Sequence, residues 1–182
     1  GGYSSHVLVP HFQYCFDKTG IPDGLAATYM CAGLTGFSAI KKIGPPPNGP
    51  KDIVILGLGG VGMQGFQMAK ALNGGAPMAV DLRDEALAVA RAEGAITFNA
   101  ADKKIVKKIR AETSNGLGVF GVIDFVGGDK TFALSQQIIR RGGIIVQVGL
   151  LGGAMSMPLP MFPLRAMQIK GTLVGSLPEC HE

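Results

Sequence analysis

The sequence contains no tryptophan, and aromatic residues make up only 7% of it. A core must therefore be built from aliphatic side chains. Cysteine is scarce as well: Cys15, Cys31 and Cys180 are odd in number and widely spaced. Such a set is no disulfide framework and fits a reducing compartment, for which the cytoplasm is the default. No run of 18 apolar residues occurs, so no helical membrane span is expected. The opening residues do not read as a basic-then-apolar signal peptide. Charged residues are only 16% against 47% apolar, which excludes a disordered chain.

Glycine, by contrast, is abundant: 28 of 182 residues, roughly double the usual share of ~7%. The glycines follow no collagen period, so they fall in turns between many short elements. The length suits one domain with some extra chain. Net charge is +4, which alone would permit nucleic-acid binding. However, five of the 17 basic residues fall in Lys103, Lys104, Lys107, Lys108 and Arg110. Ile105, Val106 and Ile109 interleave with them, which describes a helix with a solvated basic face rather than a nucleic-acid surface. Both ends read as cut, with an opening turn and no terminating feature at Glu182, so a piece of a longer protein is expected.

No internal repeat is present. Residues 1–35 read as irregular, with a short strand at 7–9 and turns at 20–22 and at Asp23-Gly24. A helix is expected over 34–43, ending at Gly44. The run Pro45-Pro46-Pro47-Asn48-Gly49-Pro50 then forbids helix and sheet. From Pro50 onward strands and helices alternate. Strands are expected at 52–56, 77–80, 96–98, 119–126, 144–148 and 168–174. Between them fall helices at 61–72, at 84–93 capped by Asp84, from Asp102 to about 115–116, and from Asp129 through Arg141, with Gly142-Gly143 as its stop. Uninterrupted apolar strands joined by helical crossovers predict an α/β fold. Its doubly wound six-stranded parallel sheet should be covered on both faces, in order 3-2-1-4-5-6, with a ligand crevice at the switch between strands 1 and 4.

The first strand runs into Gly57-Leu58-Gly59-Gly60-Val61-Gly62, a G-x-G-x-x-G. Alone this pattern is weak. Here it follows a strand, opens a helix and lies in a βαβ unit. Gly57 allows the tight turn, Gly59 lets the backbone approach a pyrophosphate, and Gly62 lets the helix pack close. The helix N-terminus then offers N–H groups and a positive dipole end to the phosphates. The second strand ends at Asp81, 19 residues after Gly62. A carboxylate there accepts from ribose hydroxyls and repels a 2′-phosphate, which selects NAD over NADP. Arg83, two residues on, is the competing feature, because an arginine can accommodate that phosphate.

Over essentially its whole length the sequence resembles the zinc-dependent medium-chain alcohol dehydrogenases. The matching stretches are Gly1-Gly2-Tyr3, Ile21-Pro22-Asp23-Gly24, Cys31-Ala32-Gly33-Leu34-Thr35, the 57–62 loop with Asp81, Val122-Ile123-Asp124-Phe125-Val126-Gly127, Arg141-Gly142-Gly143, Val148-Gly149-Leu150 and the run from Ile169 to Ser176. The resemblance implies that residues 1–35 are the tail of a GroES-like catalytic domain. Residues 36–176 would be a Rossmann domain and 177–182 the start of a further C-terminal segment. It implies that Cys31 is the last ligand of a catalytic zinc whose other ligands lie upstream, and that Thr35 packs on the nicotinamide. Leu82 beside Asp81, Phe125 and Val126, Val148 to Leu150, and Leu173 and Val174 would line the cofactor at the strand ends. His6, His11 and His181 match no catalytic position and read as surface residues.

The implied activity is NAD-dependent alcohol oxidation, with zinc as Lewis acid on the alcohol oxygen and hydride passing to the nicotinamide. A fragment of this kind would be inactive alone. Two rivals stand beside this reading: a zinc-free quinone or enoyl reductase of the same superfamily, and a non-catalytic NAD-binding module. The expected partners are a small alcohol or carbonyl substrate and a second copy of the chain, as a homodimer or homotetramer, with no nucleic acid and no membrane. The last strand would be an apolar sheet edge with one charge, Lys170, and no proline, which invites pairing.

Overall fold

A computed structural model describes residues 3–46 and 52–182. Gly1 and Gly2 of the family-like opening, and Pro47, Asn48, Gly49 and Pro50 of the proline-rich run, lie outside the described residues.

Runs of β-branched and aliphatic residues that can bury on both faces become the centre of a parallel sheet. The strands are β1 (Ile53–Leu56), β2 (Met78–Asp81), β3 (Thr97–Asn99), β4 (Val119–Asp124), β5 (Ile139–Gln147) and β6 (Gln168–Gly171). All pair in parallel, in the order β3-β2-β1-β4-β5-β6, as expected for the doubly wound fold. The helices are α1 (Asp23–Thr28), α2 (Leu34–Ile43), α3 (Gly60–Asn73), α4 (Asp84–Ala92), α5 (Ile105–Ala111), α6 (Asp129–Ile138), α7 (Met161–Arg165) and α8 (Leu177–His181).

The period-2 alternation of β1 separates two cores. Ile53 and Ile55 pack with Ile40, Ile43, Phe66 and Leu87 from α2, α3 and α4. Val54 and Leu56 pack with Ile109, Phe132 and Ile138 from α5 and α6. Three hydrogen bonds from two arginines tie the far end of α6 and the start of β5 to their neighbours. Arg110 Nε donates to Gln137 O, and Arg165 donates from Nη1 to Gln136 O and from Nη2 to Ile139 O. These arginines satisfy carbonyls that a helix C-terminus leaves unpaired. No helix among the described residues is long and apolar enough to cross a membrane.

Several expected elements are placed differently. Residues 7–9 form no strand, and Leu8 is fully exposed; a β-rich triplet with no neighbour to pair gains nothing by extending. Residues 23–33 are not irregular, while the helix expected over 34–43 is present as α2. Asp23-Gly24 opens α1, and a single π turn over Tyr29–Gly33 joins it directly to α2. Asp84, Asp102 and Asp129 were expected to cap helices. Asp84 and Asp129 are instead the first helical residues, and their carboxylates reach across loops, accepting from Asn99 Nδ2 and from Ala154 N–H, each at 2.9 Å. Asp102 sits before Lys104 and accepts from its N–H at 2.8 Å, and α5 stops at Ala111, short of the expected 115–116.

The helix expected through Arg141 ends at Ile138, because Ile138 and Ile139 are both fully buried and the chain must turn into the sheet. Gly142-Gly143 is therefore no helix stop. Val119 pairs with Ile139 and Gly121 with Ile144, so β5 bulges outward between them, with Gly142 at φ +76°. The last strand stops at Gly171, short of Val174, whose φ of +53° cannot continue a ladder.

Candidate functional site

The parallel topology collects the ends of β1, β2, β4, β5 and β6 along one edge of the sheet. Gly57 leaves β1 at φ +85°, and its N–H donates to Val80 O at 2.8 Å, which seats the turn against β2. A Cβ at Gly59 or Gly60 would meet nothing within 4 Å. A Cβ at Gly62 would fall on the Gly57 carbonyl. Of the three motif glycines, Gly57 makes the turn at positive φ, Gly59 stands open to an incoming group and Gly62 is a closed contact, with Gly60 a second open position. The first helical bond of α3 runs from Met63 N–H to Gly59 O at 2.8 Å. The N–H groups of Gly60, Val61 and Gly62 have no carbonyl one turn back and face the helix end, a site suited to an anion.

Asp81 closes the other side. Its side chain is 9% exposed. Oδ2 accepts from Leu58 N–H at 2.6 Å, and Oδ1 accepts from Arg83 N–H at 2.9 Å and Arg83 Nε at 3.2 Å. Burial opposes its ionisation, but the Arg83 and Leu58 N–H groups and the Arg83 guanidinium together outweigh burial and hold the carboxyl below the usual aspartate range. A depressed folded-state pKa contributes stability at neutral pH and loses it only as pH falls through that low value. The Asp81–Leu58 link is therefore intact throughout the neutral range. Arg83 Nη2 also donates to Leu58 O at 3.1 Å, so the arginine lies across the glycine loop. Leu82 between them is exposed.

Asp124, at the end of β4, is fully buried. Oδ1 accepts from Val126 N–H and Gly127 N–H at 2.9 Å each, and Oδ2 from Thr131 Oγ1 at 2.6 Å. This residue escaped attention in the sequence except as part of a family stretch. Its signal was there, since a lone carboxylate closing an apolar strand must find donors. It shapes the turn that presents Phe125 and Val126. The Phe125 ring lies on α3 where Gly65 has no side chain, and Val126 lies against Gly57. Val148 and Gly149 both donate to Asp124 O at 2.9 Å, and Gly149 crosses Gly127 so closely that neither admits a Cβ. Leu150 and Leu173 project into solvent.

Thr35 is buried in the first turn of α2, and its hydroxyl donates to Cys31 O at 2.7 Å. The start of α2 reaches the same edge of the sheet, since Leu34 packs on Gly175 in the loop after β6. Cys31 lies in the π turn and is exposed, as is Cys15. No group of three His, Cys, Asp or Glu that could hold a metal occurs among the described residues.

A cleft of about 510 Å³ lies beside this edge, lined by Asp129, Phe132, Gln147, Leu150, Met155 and Ile169 among others. None of the 57–62 loop and not Asp81 lines it. It is a different place from the glycine cradle, on the α6 side of the β4 and β5 loops.

A doubly wound sheet with a glycine turn at its switch point and a carboxylate ending β2 defines a dinucleotide-binding domain of the Rossmann type. Residues 60–182 match the family model described as zinc-binding dehydrogenase, and the chain belongs to that family. It is 35% identical over 178 residues to an NAD-dependent alcohol dehydrogenase of Sulfurisphaera tokodaii, covering 97% of this chain and 50% of that protein. The alcohol dehydrogenase of Aeropyrum pernix superposes with a TM-score of 0.77 at 29% identity, over 85% of this chain and 44% of that one. The acetophenone reductase of Geotrichum candidum, solved in complex with NAD, gives a TM-score of 0.73 at 27% identity, over 89% and 44% of the two chains. The chain thus spans about half the length of the relatives it matches.

Proposed function

We propose that this chain is the NAD-binding part of a zinc-dependent alcohol dehydrogenase. The observation that carries the proposal is the Asp81 carboxylate, held at the end of β2 against Leu58 of a glycine loop whose next two positions are open. In this reading Gly57, Gly59, Gly60, Val61 and Gly62 receive the pyrophosphate. Asp81, Leu82 and Arg83 surround the adenosine ribose. Thr35, Phe125, Val126, Val148, Gly149, Leu150, Leu173 and Val174 line the nicotinamide half. Bound NAD would supply the hydride acceptor, while these residues orient it and keep water from its reactive face.

The donors present do not make a zinc site by themselves. Cys31 is one candidate ligand, and a catalytic zinc needs three. We place the zinc chemistry, the substrate pocket and the alcohol or carbonyl specificity in the intact protein. Residues 1–35 would be the tail of its catalytic domain, 36–176 the Rossmann domain and 177–182 the start of a closing segment. The first boundary falls within the continuous helical stretch, so the two units would share a helix. The chain as given is expected to hold no stoichiometric zinc and to oxidise no alcohol. Elemental analysis finding one zinc per chain, retained in Cys31→Ala, would show that the metal site lies elsewhere.

The protein would be cytoplasmic, in keeping with three free cysteines, and homo-oligomeric through β6. That strand is a sheet edge, and Thr172 N–H extends its ladder one residue by donating to Gln147 O at 3.1 Å. Antiparallel pairing of two such edges about a two-fold axis would make one twelve-stranded sheet with an isologous interface. Sedimentation at micromolar concentration should show a dimer that dissociates when charge is placed at Ile169 of the edge strand. A monomer, unaffected by that change, would refute it.

A further inference from the structure

The loop after β6 contains a β-branched residue in a backbone conformation it does not favour. Val174 has φ +53°, the left-handed region in which valine is a rare outlier. Such a conformation persists only where its surroundings impose it, and it concentrates at functional sites. What surrounds this turn is a chain of polar contacts from α2. Lys42 Nζ donates to the Thr172 hydroxyl and, at 3.2 Å, to Ser38 Oγ. With its oxygen accepting from the ammonium, the Thr172 O–H is left to donate to Val174 O, 3.4 Å away. Ser38 is almost fully buried and lies 3.2 Å from Thr172 Oγ1. Lys170 Nζ donates to Lys42 O at 2.8 Å, which ties β6 to the same turn of α2.

Lysine rarely spends a half-buried ammonium on neutral hydroxyls, because a carboxylate is the stronger partner. Here the neutral partners have a geometric consequence. A charged donor polarises the Thr172 hydroxyl and strengthens its bond to Val174 O, so the left-handed turn is held from inside the domain while Leu173 stays in solvent.

We propose that Lys42 and Ser38 are positioning residues for the cofactor: by holding the Thr172 hydroxyl they fix the 172–174 turn, and with it the backbone groups of Leu173 and Val174 that receive the nicotinamide end of the dinucleotide. This rests on the reading that the chain binds NAD. It separates the cofactor into two halves with different supports. The ADP-ribose half depends on the glycine loop and Asp81. The nicotinamide half depends on the α2–Thr172 contact.

The test is calorimetric titration of the chain with NADH and with ADP-ribose, which lacks the nicotinamide. Lys42→Met should weaken NADH roughly fivefold, the loss of a charge-assisted hydrogen bond partly replaced by water. It should leave ADP-ribose within about a factor of two. Lys42→Arg, which keeps a donor, should restore most of the NADH affinity. Thr172→Val, nearly the same shape without the hydroxyl, should show the same split as Lys42→Met and serves if that variant folds poorly. Equal weakening of both ligands, or no change in either, would overturn the proposal. Failure of ADP-ribose to bind the unaltered chain would overturn the NAD reading and this proposal with it.

Discussion

Gly62→Ala should destabilise the domain by about 3 kcal/mol, in the range of a backbone overlap that no rotamer relieves. The added methyl would overlap the Gly57 carbonyl, and Gly57 cannot retreat, because its N–H is bonded to Val80 O and its far side meets Val126. α3 must therefore lift off β1. That movement would also open two other glycine contacts: Gly36 of α2, whose Cβ would lie 2.7 Å from the Gly65 Cα, and Gly65 itself, which receives the Phe125 ring. NADH affinity should fall by about two orders of magnitude, since the N–H groups at the helix end leave the phosphate position. Gly60→Ala is the control. It meets nothing within 4 Å, so its unfolding free energy should stay within about 0.5 kcal/mol of the parent. Denaturant unfolding curves that coincide for the two variants would show that the close helix–strand approach is not needed.

Cofactor choice should turn on Asp81. The unaltered chain is expected to bind NADH at least about tenfold tighter than NADPH, a gap of ~1.4 kcal/mol. A 2′-phosphate would meet a carboxylate that stays ionised at neutral pH, its pKa being held low by Leu58 and Arg83 despite burial. In Asp81→Ser the guanidinium of Arg83 loses its partner at 3.2 Å and becomes able to meet that phosphate, so the preference should narrow or reverse. Parallel titrations measure both. Equal affinities in the unaltered chain would mean that Arg83, already lying across the glycine loop, decides the matter.

The order of the six strands could be read from the sequence because apolar run, helical crossover and glycine turn all pointed the same way. Asp81 was legible for the same reason, as a carboxylate ending a strand one βαβ unit after the motif. What escaped reading depends on contacts between residues far apart in sequence. Residues 23–33 looked irregular because Gly24 and Gly33 interrupt the pattern; the helix holds because Gly33 makes room for the Tyr29 ring in the π turn and Thr35 bonds back to Cys31. Gly142-Gly143 looked like a helix stop, and only the buried pair Ile138 and Ile139 shows that the helix must end earlier. Ser38 and Lys42 carried no local signal at all, and Thr172 entered only as part of the family-like run from Ile169 to Ser176. A serine and a lysine one turn apart on a helix normally face water, and nothing in the chain marks a threonine 130 residues beyond Lys42 as their partner.

A dinucleotide is expected across the glycine loop at the ends of β1 and β2, and not in the cleft beside Asp129 and Met155. Backbone amide chemical shifts of the isotope-labelled chain, followed during titration with NADH, test it directly. The account predicts saturable changes at Gly59, Gly60, Val61 and Gly62, at Asp81 to Arg83, and at Leu173 and Val174. Changes confined to Asp129, Gly153 and Met155, or none at any concentration, would contradict it.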